Sequence, residues 1–154
     1  MSYHIRGGLR GINLDANENL TNALFCLKLE YEDDGTYFDG NIKRQYWRSN
    51  LDNVTRSFTY RYDGASRVKA GIYLGKGTEN YTLADVTYDN NGNIKKLIRN
   101  GLIANNTFGI VDNLSYTYNA NSNKILKVDD ISNVTVVLQM LRVMIILIIA
   151  RWFV

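Results

Sequence analysis

Phe58-Thr59-Tyr60-Arg61-Tyr62-Asp63-Gly64-Ala65-Ser66-Arg67-Val68 decides the fold, because the chain says it again twice downstream. It returns as Val86-Thr87-Tyr88-Asp89-Asn90-Asn91-Gly92-Asn93-Ile94. A looser copy is Leu114-Ser115-Tyr116-Thr117-Tyr118-Asn119-Ala120-Asn121-Ser122-Asn123-Lys124-Ile125. Each copy is an alternating run ending in Tyr followed by Asp or Asn; a small polar turn comes next, and an aliphatic residue reopens the chain six or seven positions after the Tyr. Alternation on both sides of such a turn predicts a β-hairpin. Its recurrence predicts stacked repeats.

The aliphatic residues after the turns give a ruler. Ile42, Val68 and Ile94 are 26 residues apart (68 − 42 and 94 − 68), and Ile125 follows 31 later (125 − 94). A fixed period with one insertion is what stacked hairpins produce, since no hairpin buries its apolar face alone. The insertion falls around residues 100–113, where Asn, Gly and Thr dominate, so a loop is expected there.

Composition agrees with a β reading. Eleven Tyr favour strands, Asn with 12 Gly favours tight turns, and Pro is absent. At 154 residues the chain suits one domain with a core. A net charge of +3, carried by scattered residues, argues against a nucleic-acid footprint. Cys26 is the only cysteine, which excludes an internal disulfide and a Cys-rich zinc site.

Upstream, residues 23–31 alternate as a strand, with Leu27, Leu29 and Tyr31 on one face and Lys28 and Glu30 on the other. Cys26 reads as packing material. Asp33-Asp34-Gly35 reads as a solvated hairpin turn, lacking the alternating ligands of a calcium loop. The next strand interleaves Tyr46, Trp47 and Arg48, which could form a ligand platform by stacking and charge. His4, the only histidine, has no companion for acid–base work. No nucleophile, base and orienting group converge, and no metal-ligand spacing occurs, so no catalytic residue, cofactor or metal is expected.

Tyr62-Asp63 with Gly64, Arg67 and Val68, and Tyr88-Asp89 with Gly92 and Ile94, resemble the YD repeat of bacterial RHS-type proteins. Tyr118-Asn119 with Ile125 departs from it by replacing Asp and lengthening the turn. The opening Ile5-Arg6-Gly7-Gly8-Leu9-Arg10-Gly11-Ile12-Asn13 and the block from Tyr37 through Trp47 are similar to RHS proteins of Bacteroidetes-type bacteria. The resemblance covers most of residues 1 to about 130. It implies a segment of a spiralling β shell around a C-terminal effector, in exported or cell-surface proteins. The implied partners are neighbouring repeats or that enclosed effector. Nothing here matches the family's self-cleaving core, and residues 1–8 show no secretion signal.

From Val134 the character changes. Residues 143–150 are uninterrupted apolar, short of the roughly 20 that span a bilayer. A longer span would bury Arg142. Membrane contact by the tail is therefore the weaker expectation. Allowed codons for residues 136–148, read one base earlier, spell an Asn/Asp/Gly turn followed by Tyr-Thr-Tyr, the motif of residues 116–118. The expectation is a frameshift near Asn133, with a downstream frame that still carries repeats. The domain reading is thus a repeat segment over 1–133 and a hydrophobic tail, helix or strand, over 134–154. The fold expected is all-β: consecutive antiparallel hairpins in a twisted open sheet.

Overall fold

In the computed structural model, the residues described are 1–3, 7–31 and 40–132. His4, the Asp34-Gly35 turn and the tail expected over 134–154 lie outside them. All regular structure among the described residues is β, and none of their segments is a helix long and apolar enough to cross a membrane. The strands fall in two compact units, one within Met1–Thr55 and one within Arg56–Val134.

The first unit holds β1 (Ser2–Tyr3), β2 (Leu9–Ile12), β3 (Phe25–Glu30) and β4 (Arg44–Ser49). Each strand pairs antiparallel with the next, β3 against β4 running from Phe25↔Ser49 to Glu30↔Arg44. Cys26 is fully buried, and its thiol donates to the Thr21 carbonyl at 3.1 Å. Leu29 is buried with it.

The second unit holds β5 (Arg56–Tyr62), β6 (Val68–Leu74), β7 (Leu83–Tyr88), β8 (Ile94–Ala104), β9 (Thr107–Tyr118) and β10 (Ile125–Asp130). Spatial order again follows chain order, every neighbouring pair antiparallel. Consecutive hairpins are what the sequence predicts, and they are what forms. Phe58, Tyr60, Tyr73, Leu83, Val86 and Val111 are buried as the core. Aromatic rings run through it in contact: Phe58 meets Tyr73 edge-on at 5.3 Å, Tyr73 meets Tyr81 at 5.2 Å, and Tyr81 meets Phe108 at 5.3 Å. Such pairs add about 0.5–1.5 kcal/mol each beyond burial.

Residues 100–113 correct the loop expectation. They lengthen a hairpin, giving β8 and β9 11 and 12 residues, with Asn100↔Ile110, Gly101↔Gly109 and Leu102↔Phe108 facing each other. Only Asn105 and Asn106 turn, Asn106 at φ 59°. Cross-strand packing outweighs the turn-prone composition. A Cβ at Gly101 would stand 3.0 Å from a Val111 methyl, tighter than ordinary contact. Arg99 and Asp112, facing partners on β8 and β9, form a largely buried ion pair.

Candidate functional site

The repeated turn is the feature that organises both units. In the turn between β7 and β8, the Asp89 N–H donates to the Asn93 carbonyl at 2.9 Å, and the Gly92 N–H returns to the Asp89 carbonyl at 3.1 Å. The Asp89 carboxylate then holds the loop from inside. Its Oδ1 accepts from the N–H groups of Asn91 and Asn93, both at 2.9 Å, and its Oδ2 accepts from the Asn93 side-chain amide at 2.9 Å. A short acceptor side chain bonding its own downstream backbone is what makes Asp a turn former.

Asp63 repeats this bond for bond. Its Oδ1 takes the N–H groups of Ala65 and Arg67 at 2.9 and 3.0 Å, and its Oδ2 takes the Arg67 Nε–H at 2.7 Å. Both carboxyls are held below the usual range: Asp63 first by the Arg67 side chain, Asp89 first by the Asn93 amide. Asn119 departs as the sequence implies. Its backbone bonds the Lys124 carbonyl and the Ser122 N–H, while the Ser122 hydroxyl, accepting from the Lys124 N–H at 3.1 Å, replaces the carboxylate.

The Asp63 and Asp89 turns each carry one residue in the left-handed region two positions before the aliphatic residue: Ser66 (φ 57°) before Val68 and Gly92 (φ 86°) before Ile94. The third turn, one residue longer, uses Asn121 (φ 56°). Each aliphatic residue is then followed by a β-bulge, since Tyr62 faces Val68 while Arg61 faces Ala70, and Tyr88 faces Ile94 while Thr87 faces Lys96. Tyr118 faces Ile125 while Thr117 faces Lys127.

The Tyr of one repeat hooks the repeat before it. The Tyr88 hydroxyl donates to the Val68 carbonyl at 2.6 Å, and the Tyr118 hydroxyl donates to the Ile94 carbonyl at 2.8 Å. Side chains tie adjacent turns as well. The Arg67 guanidinium lies 4.4 Å from the Tyr88 ring centre and donates to the Asp89 carbonyl at 3.3 Å. Asn93 donates from its amide to the Asn123 side-chain oxygen at 2.9 Å. Each of these two turns therefore binds its successor through the residue just before its aliphatic position.

Two further copies escape the sequence motif. Tyr3 faces Leu9 with Ser2 facing Gly11, the same bulge, and Gly7 (φ 85°) stands two before Leu9. The Tyr31 hydroxyl donates to the Leu9 carbonyl at 2.8 Å, and Gly40 (φ 81°) stands two before Ile42. Gly40 thus stands before Ile42 as Gly92 stands before Ile94. A third hidden copy lies at Leu14–Leu20, an isolated bridge. There Asp15 Oδ1 accepts from the N–H groups of Asn17 and Asn19 at 2.8 Å, Oδ2 accepts from the Asn19 amide at 3.2 Å, and Glu18 has φ 60°. The signal that finds it is Asp followed by Asn at the fourth position, the spacing of Asp89 and Asn93.

Tyr46, Trp47 and Arg48 do not converge on one face. Alternation along β4 sets Trp47, which faces Leu27, opposite to the other two. The Tyr46 hydroxyl donates to Glu30 at 3.3 Å. Arg48 Nη2 donates to the carbonyls of Leu20 and Thr21, both at 2.6 Å, holding down the loop between β2 and β3. Among the described residues, no three His, Cys, Asp or Glu side chains cluster to hold a metal ion.

Comparison with protein-family models, with curated proteins and with solved structures finds no match to this chain.

Proposed function

We propose that this chain is structural: a segment of an RHS-type β shell whose chemistry is the fastening of one repeat to the next, with no catalysis of its own. The observation that carries the reading is the Tyr hydroxyl bonded one repeat back, Tyr88 to Val68 and Tyr118 to Ile94. The conspicuous polar groups of the motif are spent on each other and on backbone. A surface that recognises a ligand keeps such groups pointed outward; here Asp63, Asp89, Arg67 and Asn93 close turns and link them. On this reading the partners are neighbouring repeats or an effector domain enclosed by the parent protein, in a secreted or cell-surface setting.

A glycan array tests the proposal against a carbohydrate-binding β module. The native chain is expected to give no signal. A signal that disappears in Trp47→Ala would overturn the structural reading and give the β4 aromatics a binding role.

A further inference from the structure

Among the described residues β10 ends the strand order of its unit, and its apolar residues are exposed. Ile125, Leu126 and Val128, with Ile131 just beyond, are 56%, 64%, 45% and 66% exposed. The Ile131 N–H donates to the Asn113 carbonyl at 3.2 Å. Backbone groups of a strand point alternately to its two sides. The N–H groups of Lys127 and Asp129 therefore face β9, and those of Val128 and Asp130 face outward. Among the described residues no further strand pairs with that outer side.

We infer that the outer edge of β10 pairs with β10 of a second copy, antiparallel, about a twofold axis at Val128. The choice of occupant comes from register. With Val128 opposite itself, Lys127 faces Asp129 of the other copy in both directions, and Ile131 falls at the Ile125 end of the other strand. Centring the axis one residue earlier sets Lys127 against Lys127, and one residue later sets Asp129 against Asp129; like charges directly opposite are unfavourable. The centre at Val128 is also an outward-facing residue, so its N–H and C=O exchange reciprocal bonds with their own copies, as a self-complementary interface requires. Lys127 and Asp129 already meet at 2.6 Å within one chain, with side chains 65% and 46% exposed, so they stand ready to close a four-charge rectangle. Nothing in the inference depends on the shell reading; it follows from β10 alone. Edge pairing of one strand buries less than the roughly 1,000 Å² of a stable interface, so the dimer is concentration-dependent.

Cysteine cross-linking of the full chain reads the axis directly. Paired residues of a hydrogen-bonded antiparallel pair have Cα atoms about 5.5 Å apart, within the range a disulfide spans. Oxidised by glutathione disulfide, Val128→Cys is expected to give a covalent dimer at least tenfold faster than Ile131→Cys, although Ile131 is the more exposed position. Cys26, fully buried, stays out of the reaction. In sedimentation experiments, Lys127→Asp and Asp129→Lys should each abolish dimerisation, and the two together should restore it. Equal cross-linking at 128 and 131, or none at either, overturns the inference. So does association that survives both single charge reversals, or a double reversal that fails to restore it. A chain that stays monomeric while its β10 edge takes up a hairpin peptide of residues 83–94 also overturns it, in favour of a further repeat as the occupant.

Discussion

The hydroxyl of Tyr118 donates to the carbonyl of Ile94, 24 residues back and one hairpin away. Tyr88 makes the same bond to Val68 and Tyr31 the same to Leu9. Removing the hydroxyl while keeping the ring isolates what this bond contributes. Tyr88→Phe and Tyr118→Phe are each expected to cost roughly 1 kcal/mol. Tyr116→Phe, whose hydroxyl is not part of this ladder, should be near neutral. Urea unfolding compares the three; equal effects would show that the hook is incidental.

Asp89 accepts three side-chain hydrogen bonds inside its turn, whereas the Asn119 turn is held by its backbone and by Ser122. Asp89→Ala should therefore lower the melting temperature, and Asn119→Ala should lower it by much less. Thermal melts of the two variants at neutral pH make the comparison.

Ser66 and Gly92 occupy the same left-handed turn position, at φ 57° and 86°. A side chain there costs about 1 kcal/mol, so substitutions at the two sites should act in opposite directions. Ser66→Gly raises the unfolding midpoint and Gly92→Ala lowers it. Space does not confuse the comparison, because a Cβ at Gly92 would meet only the Arg67 guanidinium, at 3.7 Å.

Glu79 takes hydrogen bonds from Arg56 and from the Tyr73 hydroxyl, at 2.7 to 3.0 Å. The Arg56 bonds are the main reason its carboxyl is held down to about 2, from an ordinary 4.5. A carboxyl depressed on folding contributes stability that is present above its unfolded value and lost as pH falls toward its folded one. Acidification from about 4.5 to about 2 should thus remove on the order of 2 kcal/mol, discounted for partial exposure. Asp63 and Asp89, also lowered, add to the same acid loss. Melting from pH 7 to 2 should show a smaller acid drop in Glu79→Gln than in the native chain.

The hairpins at Tyr62, Tyr88 and Tyr118 were legible because Tyr, turn and aliphatic residue stand close together with alternation on both sides. The copies at Tyr3 and Tyr31 were not. His4 occupies the Asp position in one, and 11 positions separate Tyr31 from Ile42 in the other. Asp15 was hidden because Leu14 stands where the motif has Tyr, although Leu20 keeps the aliphatic position and the turn bonds are the same. Residues 100–113 misled for a different reason: propensity speaks for single residues, and the pairing of Leu102 with Phe108 is a tertiary fact. The same holds at Arg48, which reads as a ligand group in sequence and is committed to a carbonyl 28 residues away. The links between turns, Arg67 to Tyr88 and Asn93 to Asn123, were equally invisible.

Lengthening the array by one period tests the account most directly. A second copy of residues 68–93, inserted after Asn93, should form one more hairpin hooked at both ends, since Ile94 then follows it as it does now. In a stacked array, stability grows with each added unit and its new interface. The lengthened chain should fold, unfold with a higher urea midpoint and show a larger dependence on denaturant. A lower midpoint, or a separate early transition for the inserted hairpin, would contradict the claim that these repeats are units built to bind one another.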